Sequence, residues 1–147
     1  MDPLSITASI AGVTTLAFQI CSSLAELRSL WRLHAINNEV SDLEVVLHQV
    51  AILVKNRANI LPETQIAAIP YLLKQAALKL SELKSVVDKL LDAVGKAKFG
   101  LSGAYAWRKE QDTLKALQDD IRSIKCNLNI LLGASNSFFM IVGHNAF

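Results

Sequence analysis

Hydrophobic residues recur at spacings of three and four along almost the whole chain, and its many valines and isoleucines do not alternate with polar neighbours. That period is helical. Asp2 is a good N-cap and Pro3 suits a first helical position. A first helix is therefore expected to run to about Leu33, where His34-Ala35-Ile36-Asn37-Asn38 interrupts the pattern. A second should start near Asn38, carry Val40, Leu43, Leu47, Val50 and Val54 on one stripe, and fade at Asn56-Arg57-Ala58-Asn59. Leu61-Pro62 opens a third. The residue before a proline avoids the helical region, so Pro70 predicts a kink or restart there. Ile69, Leu73, Ala76, Leu80, Leu83, Val87, Leu90 and Val94 then alternate steps of four and three over about seven turns, the strongest periodic signal in the chain. Gly95, Gly100 and Gly103, with Ser102 as a cap, mark a loop. The fourth helix sets Trp107, Leu114, Leu117, Ile121, Ile124, Leu128 and Leu131 on one face, and Gly133-Ala134-Ser135-Asn136-Ser137 is expected to end it. The fold class predicted is all-α: an antiparallel bundle of four long helices. Residues 1–135 form the bundle, and 136–147 an apolar tail or the start of a linker.

The first helix departs from the usual surface pattern. From Pro3 to Ala25, 23 consecutive residues carry no charge. As a helix they reach about 35 Å, enough for a bilayer core of roughly 30 Å. Eight of the 23 are Ser, Thr or Gln, rich for a spanning segment. Ile6, Ile10, Val13, Ala17, Ile20 and Leu24 fall in one sector; Ser5, Ala8, Gly12, Thr15, Gln19 and Ser23 lie opposite, and Leu4, Leu16 and Phe18 spill outside the stripe. A bundle helix normally shows Lys and Glu on its outer side. Three readings follow: a central helix buried by its neighbours and by whatever follows in the full protein, a surface that packs on another copy through the small-xxx-small pair Ala8 and Gly12, or conditional membrane insertion with hydroxyls bonded to their own helix carbonyls.

Composition narrows the class without naming a reaction. The 147 residues are 52% hydrophobic and 19% charged, which excludes intrinsic disorder. Fifteen Lys+Arg against thirteen Asp+Glu leave +2, too little for a nucleic-acid surface. The first positively charged side chain is Arg28, so there is no basic n-region of a secretory signal, and Asp2 excludes myristoylation. The expected compartment is the cytoplasm, with Cys21 and Cys126 reduced. The apolar end, Phe138 to Phe147, is unusual for a solvated terminus and fits a polypeptide that continues.

No catalytic constellation emerges, and the chain is read as a non-enzyme without cofactor. His34, His48 and His144 lack metal-ligand spacing with one another or with the cysteines. Ser81-Glu82-Leu83-Lys84 has Ser-x-x-Lys spacing inside a regular helix without a supporting motif. Lys96, Lys98, Arg108 and Lys109 make the third connection locally basic, a solvated loop or a patch for anionic lipid.

Met1-Asp2-Pro3-Leu4-Ser5-Ile6-Thr7-Ala8-Ser9-Ile10-Ala11-Gly12-Val13 closely resembles the opening of fungal STAND (NLR-like) receptors, whose N-terminal domains are called HeLo-like. The similarity continues at Asn38-Glu39-Val40-Ser41-Asp42-Leu43-Glu44-Val45-Val46-Leu47 and at Trp107-Arg108-Lys109-Glu110, covering roughly residues 1–135. The resemblance implies a helical effector module of innate immunity or heteroincompatibility, preceding nucleotide-binding and repeat domains. It implies cell death by self-association and entry of the first helix into the plasma membrane. By position that role falls on Leu4, Ile6, Ile10, Val13, Leu16, Phe18 and Ile20, with Ala8 and Gly12 as the close-approach pair. The alternative is an adaptor that oligomerises without touching lipid.

Overall fold

A computed structural model describes the backbone of residues 3–31, 33–57, 61–96 and 101–145, and side chains within 4–27, 33–56, 61–93, 105 and 107–134. Four helices account for it: α1 (Pro3–Trp31), α2 (His34–Arg57), α3 (Glu63–Lys96) and α4 (Leu101–Asn145). The chain is an all-α bundle. Pro3 is the first residue of α1, as its fixed φ favours; the proposed Asp2 cap lies outside the described residues.

The apolar stripes meet in one core. Every described residue of the α2 and α3 stripes is buried, as are Leu114 to Leu131 on α4 and, on α1, Ile6, Ile10, Val13, Ala17, Ile20, Leu24 and Leu27. Trp107 is partly buried against that core. Helix α1 packs on α2 and α3, and α4 packs on the same two, so α1 and α4 occupy opposite corners. Lys79 pairs with Asp120 while Tyr71 and Asn127 flank one depression, which sets α3 and α4 antiparallel.

The helix ends differ from the sequence pattern in four places, each for a physical reason. Helix α2 starts at His34 rather than near Asn38: Leu33 and Ile36 are buried and extend the stripe back one turn, and the Asn37 amide donates to the Leu33 carbonyl at 3.0 Å. Pro70 does not restart α3, which runs on through it. It removes one backbone bond to the Ile66 carbonyl, but Ile69 and Leu73 on either side remain in the core. Leu61-Pro62 does open the helix, with the Pro62 carbonyl accepting from the Gln65 and Ile66 amides. Gly95 belongs to α3, and Ser102 and Gly103 belong to α4, which begins at Leu101, so Ser102 is not its cap. Finally, Gly133 to Ser137 does not end α4, which continues to Asn145. One glycine costs about 1 kcal/mol in a helix and no proline follows it.

One charged residue is buried among the described residues: Glu39, 8% exposed, on the α2–α4 side. Arg122 Nε and Lys125 Nζ each donate to one of its carboxylate oxygens at 2.8 Å. Burial pushes the Glu39 carboxyl up, but the two hydrogen bonds and the two cations outweigh it and hold the group below its ordinary range.

Candidate functional site on the first helix

The outer side of α1 is the most anomalous surface of the bundle. Ser5, Ala8, Gly12, Thr15 and Gln19, the residues opposite the stripe, are all exposed, while Ser23 is half-buried. None is charged. Leu4 and Phe18, outside the stripe, stand 84% and 62% exposed, and Leu16 is half-buried. Within this chain the neighbouring helices bury the stripe side of α1 and leave its opposite side exposed. The segment Leu4–Leu27 is the one helix among the described residues that is long and apolar enough to cross a membrane, with 28% of its most apolar stretch buried. The Thr15 hydroxyl donates to the Ala11 carbonyl at 2.9 Å, so this polar group on the outer face is satisfied within its own helix.

Apart from half-buried Leu16, the candidate residues of α1 divide into two sets. Ile6, Ile10, Val13 and Ile20 are core residues and reach another partner only if α1 leaves the bundle. Leu4, Ala8, Gly12 and Phe18 already face outward. A Cβ placed on Gly12 meets nothing within 4 Å, so this position faces open space.

Gly12 also opens a groove between α1 and α3 that the sequence pattern did not reveal. Its volume is about 540 Å3. Ser9, Gly12, Val13 and Leu16 form one edge at helical spacing. Pro70, Tyr71, Leu73, Lys74 and Ala77 form the other. Val13 and Leu73 are buried and make the floor, and the small residues Gly12 and Ala77 leave the space above it unfilled. Tyr71 is 64% exposed beside it. The small residue Gly12 on α1 was the available signal, but only the packing of α1 against α3 makes a groove beside it.

The four basic residues are placed elsewhere. Arg108 and Lys109 are exposed near the start of α4, where Trp107 and Gln111 meet Leu33 and Ile36, so they sit at the end where α1 leads into α2. That is the far end of the bundle from Leu4. Lys96 is the last residue of α3, but its side chain, and Lys98 altogether, lie outside the described residues. Lys84 of the Ser-x-x-Lys match donates to Asp88 at 2.9 Å. Among the described residues no three His, Cys, Asp or Glu side chains gather as metal ligands would; His34 and His48 are exposed, and the His144 side chain lies outside them. Cys21 is half-buried and Cys126 exposed.

Among the described residues the fold is a helical bundle with one helix of membrane-spanning length, uncharged from Pro3 to Ala25 and exposed along one side. No family model, no curated protein and no solved structure matches the chain.

Proposed function

We propose that the chain is an effector module that permeabilises membranes when several copies are clustered, its first helix leaving the bundle and entering the bilayer. The single observation that carries this reading is the surface of α1: a helix of spanning length whose exposed side, from Leu4 to Ala25, carries no charge. A helix kept only for its core stripe gains nothing by excluding Lys and Glu from its water-facing side. Membrane entry requires their exclusion, because each charge at the bilayer centre costs about 2.5–3.5 kcal/mol or more. The Thr15–Ala11 bond supports the reading, since a hydroxyl already satisfied in its own helix is less costly in hydrocarbon. Clustering supplies what one copy lacks: raised effective concentration and several helices that reach the lipid together. With the resemblance of residues 1–13 to HeLo-like domains, the setting would be fungal regulated cell death, in a cytoplasmic protein that relocates to the plasma membrane. Arg108 and Lys109 would meet anionic lipid, and nucleotide-binding and repeat domains would drive assembly.

The second reading, an oligomerising adaptor, is favoured by Ala8 and Gly12, exposed one turn apart and small enough for close approach of a second helix. Dye release from anionic liposomes separates the two, using purified 1–147 alone and fused to a clustering scaffold. Gly12→Glu and Phe18→Glu place a charge on the outer side without entering the core. Membrane entry predicts release on clustering, lost in both variants while helix content and melting are kept. Clustered protein that assembles but releases no dye would establish the adaptor instead.

A further inference from the structure

We propose that the groove between α1 and α3 binds a single-chain anionic amphiphile of the fatty-acid kind. The proposal stands whether or not α1 ever leaves the bundle. The groove's volume, about 540 Å3, falls within the roughly 300–1,000 Å3 of small-molecule sites, which are typically apolar with a few placed polar groups. On each helix the lining runs over eight residues, Ser9 to Leu16 and Pro70 to Ala77, about two turns or roughly 10 Å along the bundle. Val13 and Leu73 offer an apolar floor, and Leu16, Pro70 and Tyr71 offer apolar walls. That is a seat for an aliphatic chain rather than for a polar metabolite.

The head group follows from charge. Lys74 is the one ionised side chain on the groove's lining, and no carboxylate stands beside it there. Among the described residues Lys74 forms no ion pair, whereas Lys79 and Lys84 on the same helix are paired with Asp120 and Asp88. The facing side of α1 has no charge to answer it. An anionic head at the rim, with the Ser9 hydroxyl on the opposite edge, would satisfy an ammonium that the protein leaves in water. A cationic or zwitterionic amphiphile would set a second positive charge against it.

The test uses the whole 147-residue chain and a fluorescent dansylated undecanoate, displaced in turn by dodecanoate, dodecanol and dodecylammonium below their micelle concentrations. The expected result is saturable binding, displaced best by dodecanoate and worst by dodecylammonium. Gly12→Leu fills the groove from a position with free space around its Cβ, so it should abolish binding while the protein still melts cooperatively. Lys74→Gln should weaken dodecanoate about two- to fivefold, the worth of an exposed ion pair, and leave dodecanol unchanged. If Gly12→Leu fails to fold, Tyr71→Ala, at an exposed wall residue, takes its place and should also weaken the probe. Unaltered binding in the folded groove variant, or equal displacement by all three competitors, would overturn the assignment.

Discussion

Replacing Ile10 by alanine should reveal whether α1 can open while the rest of the bundle stays folded. Ile10 is buried, and with Ile6, Val13, Ile20, Leu24 and Leu27 it anchors α1 by one stripe to α2 and α3. At about 1.5–3 kcal/mol per large side chain, those six contribute roughly 9–18 kcal/mol, against which the released helix regains chain entropy. Ile10→Ala removes about 2–5 kcal/mol of that attachment. The population with α1 detached should rise roughly 30- to 4,000-fold at one decade per 1.4 kcal/mol. Native-state hydrogen exchange reads this amide by amide. In the wild type, α1 amides should exchange at lower free energy than those of α3 and α4. Ile10→Ala should accelerate α1 by the stated factor. The decisive partner is Leu128→Ala, a core change on α4, the helix diagonal to α1. It should accelerate exchange in α3 and α4 by global unfolding and leave α1 exchange unchanged. If Leu128→Ala accelerates α1 as much as α4, then α1 leaves only when everything unfolds, and the release step fails.

Further outcomes follow from the same structure. Gly12→Ala, with free space around the new Cβ, should stabilise the bundle by about 0.5–1 kcal/mol, raising Tm by about 1–4 °C; a lower Tm would mean that a backbone or side chain approaches there. Glu39 is held below its ordinary range in the folded state, so its stabilisation is present above the unfolded value and is lost as pH falls through the folded one. Glu39→Gln should therefore melt below wild type at pH 7, with the gap closing as pH falls through and below the usual carboxylate range; a gap independent of pH would contradict the network's charge role. A thiol reagent at neutral pH should label the exposed Cys126 first and the half-buried Cys21 in a slower phase. That slow phase should speed up in Ile10→Ala as α1 opens, and an unchanged rate would argue against opening.

Much of this fold is legible in the residue pattern because a four-three alternation maps directly onto a buried stripe. The seven residues from Ile69 to Leu90 are all buried, and the α1 stripe from Ile6 to Leu24 is likewise in the core. What the pattern misplaces are ends. Polar residues such as His34, Asn37 and Asn38 read as a break, yet Leu33 and Ile36 beside them carry the stripe backward. Gly133 reads as a stop, but a lone glycine without a proline is a small penalty in a helix of 45 residues. The outward face of α1 is visible in the sequence as a charge-free run. The groove is not, because its two edges, Ser9 to Leu16 on α1 and Pro70 to Ala77 on α3, lie about 60 positions apart in the chain and only the packing of the two helices sets them side by side. The Glu39 network is hidden for the same reason: its donors lie 83 and 86 residues away.

The most direct measurement of the central claim is the depth of α1 in a bilayer. An environment-sensitive fluorophore is placed at Phe18→Cys, in a protein with Cys21 and Cys126 replaced by serine. It is read on anionic vesicles containing quencher-bearing lipid, with the protein monomeric and then clustered. Residue 18 is exposed in the bundle, so the fluorophore begins in water without disturbing the core. The account predicts that clustering shifts its emission to the blue and brings it within reach of quenchers in the acyl chains. A fluorophore that stays in water on clustered, vesicle-bound protein would contradict it.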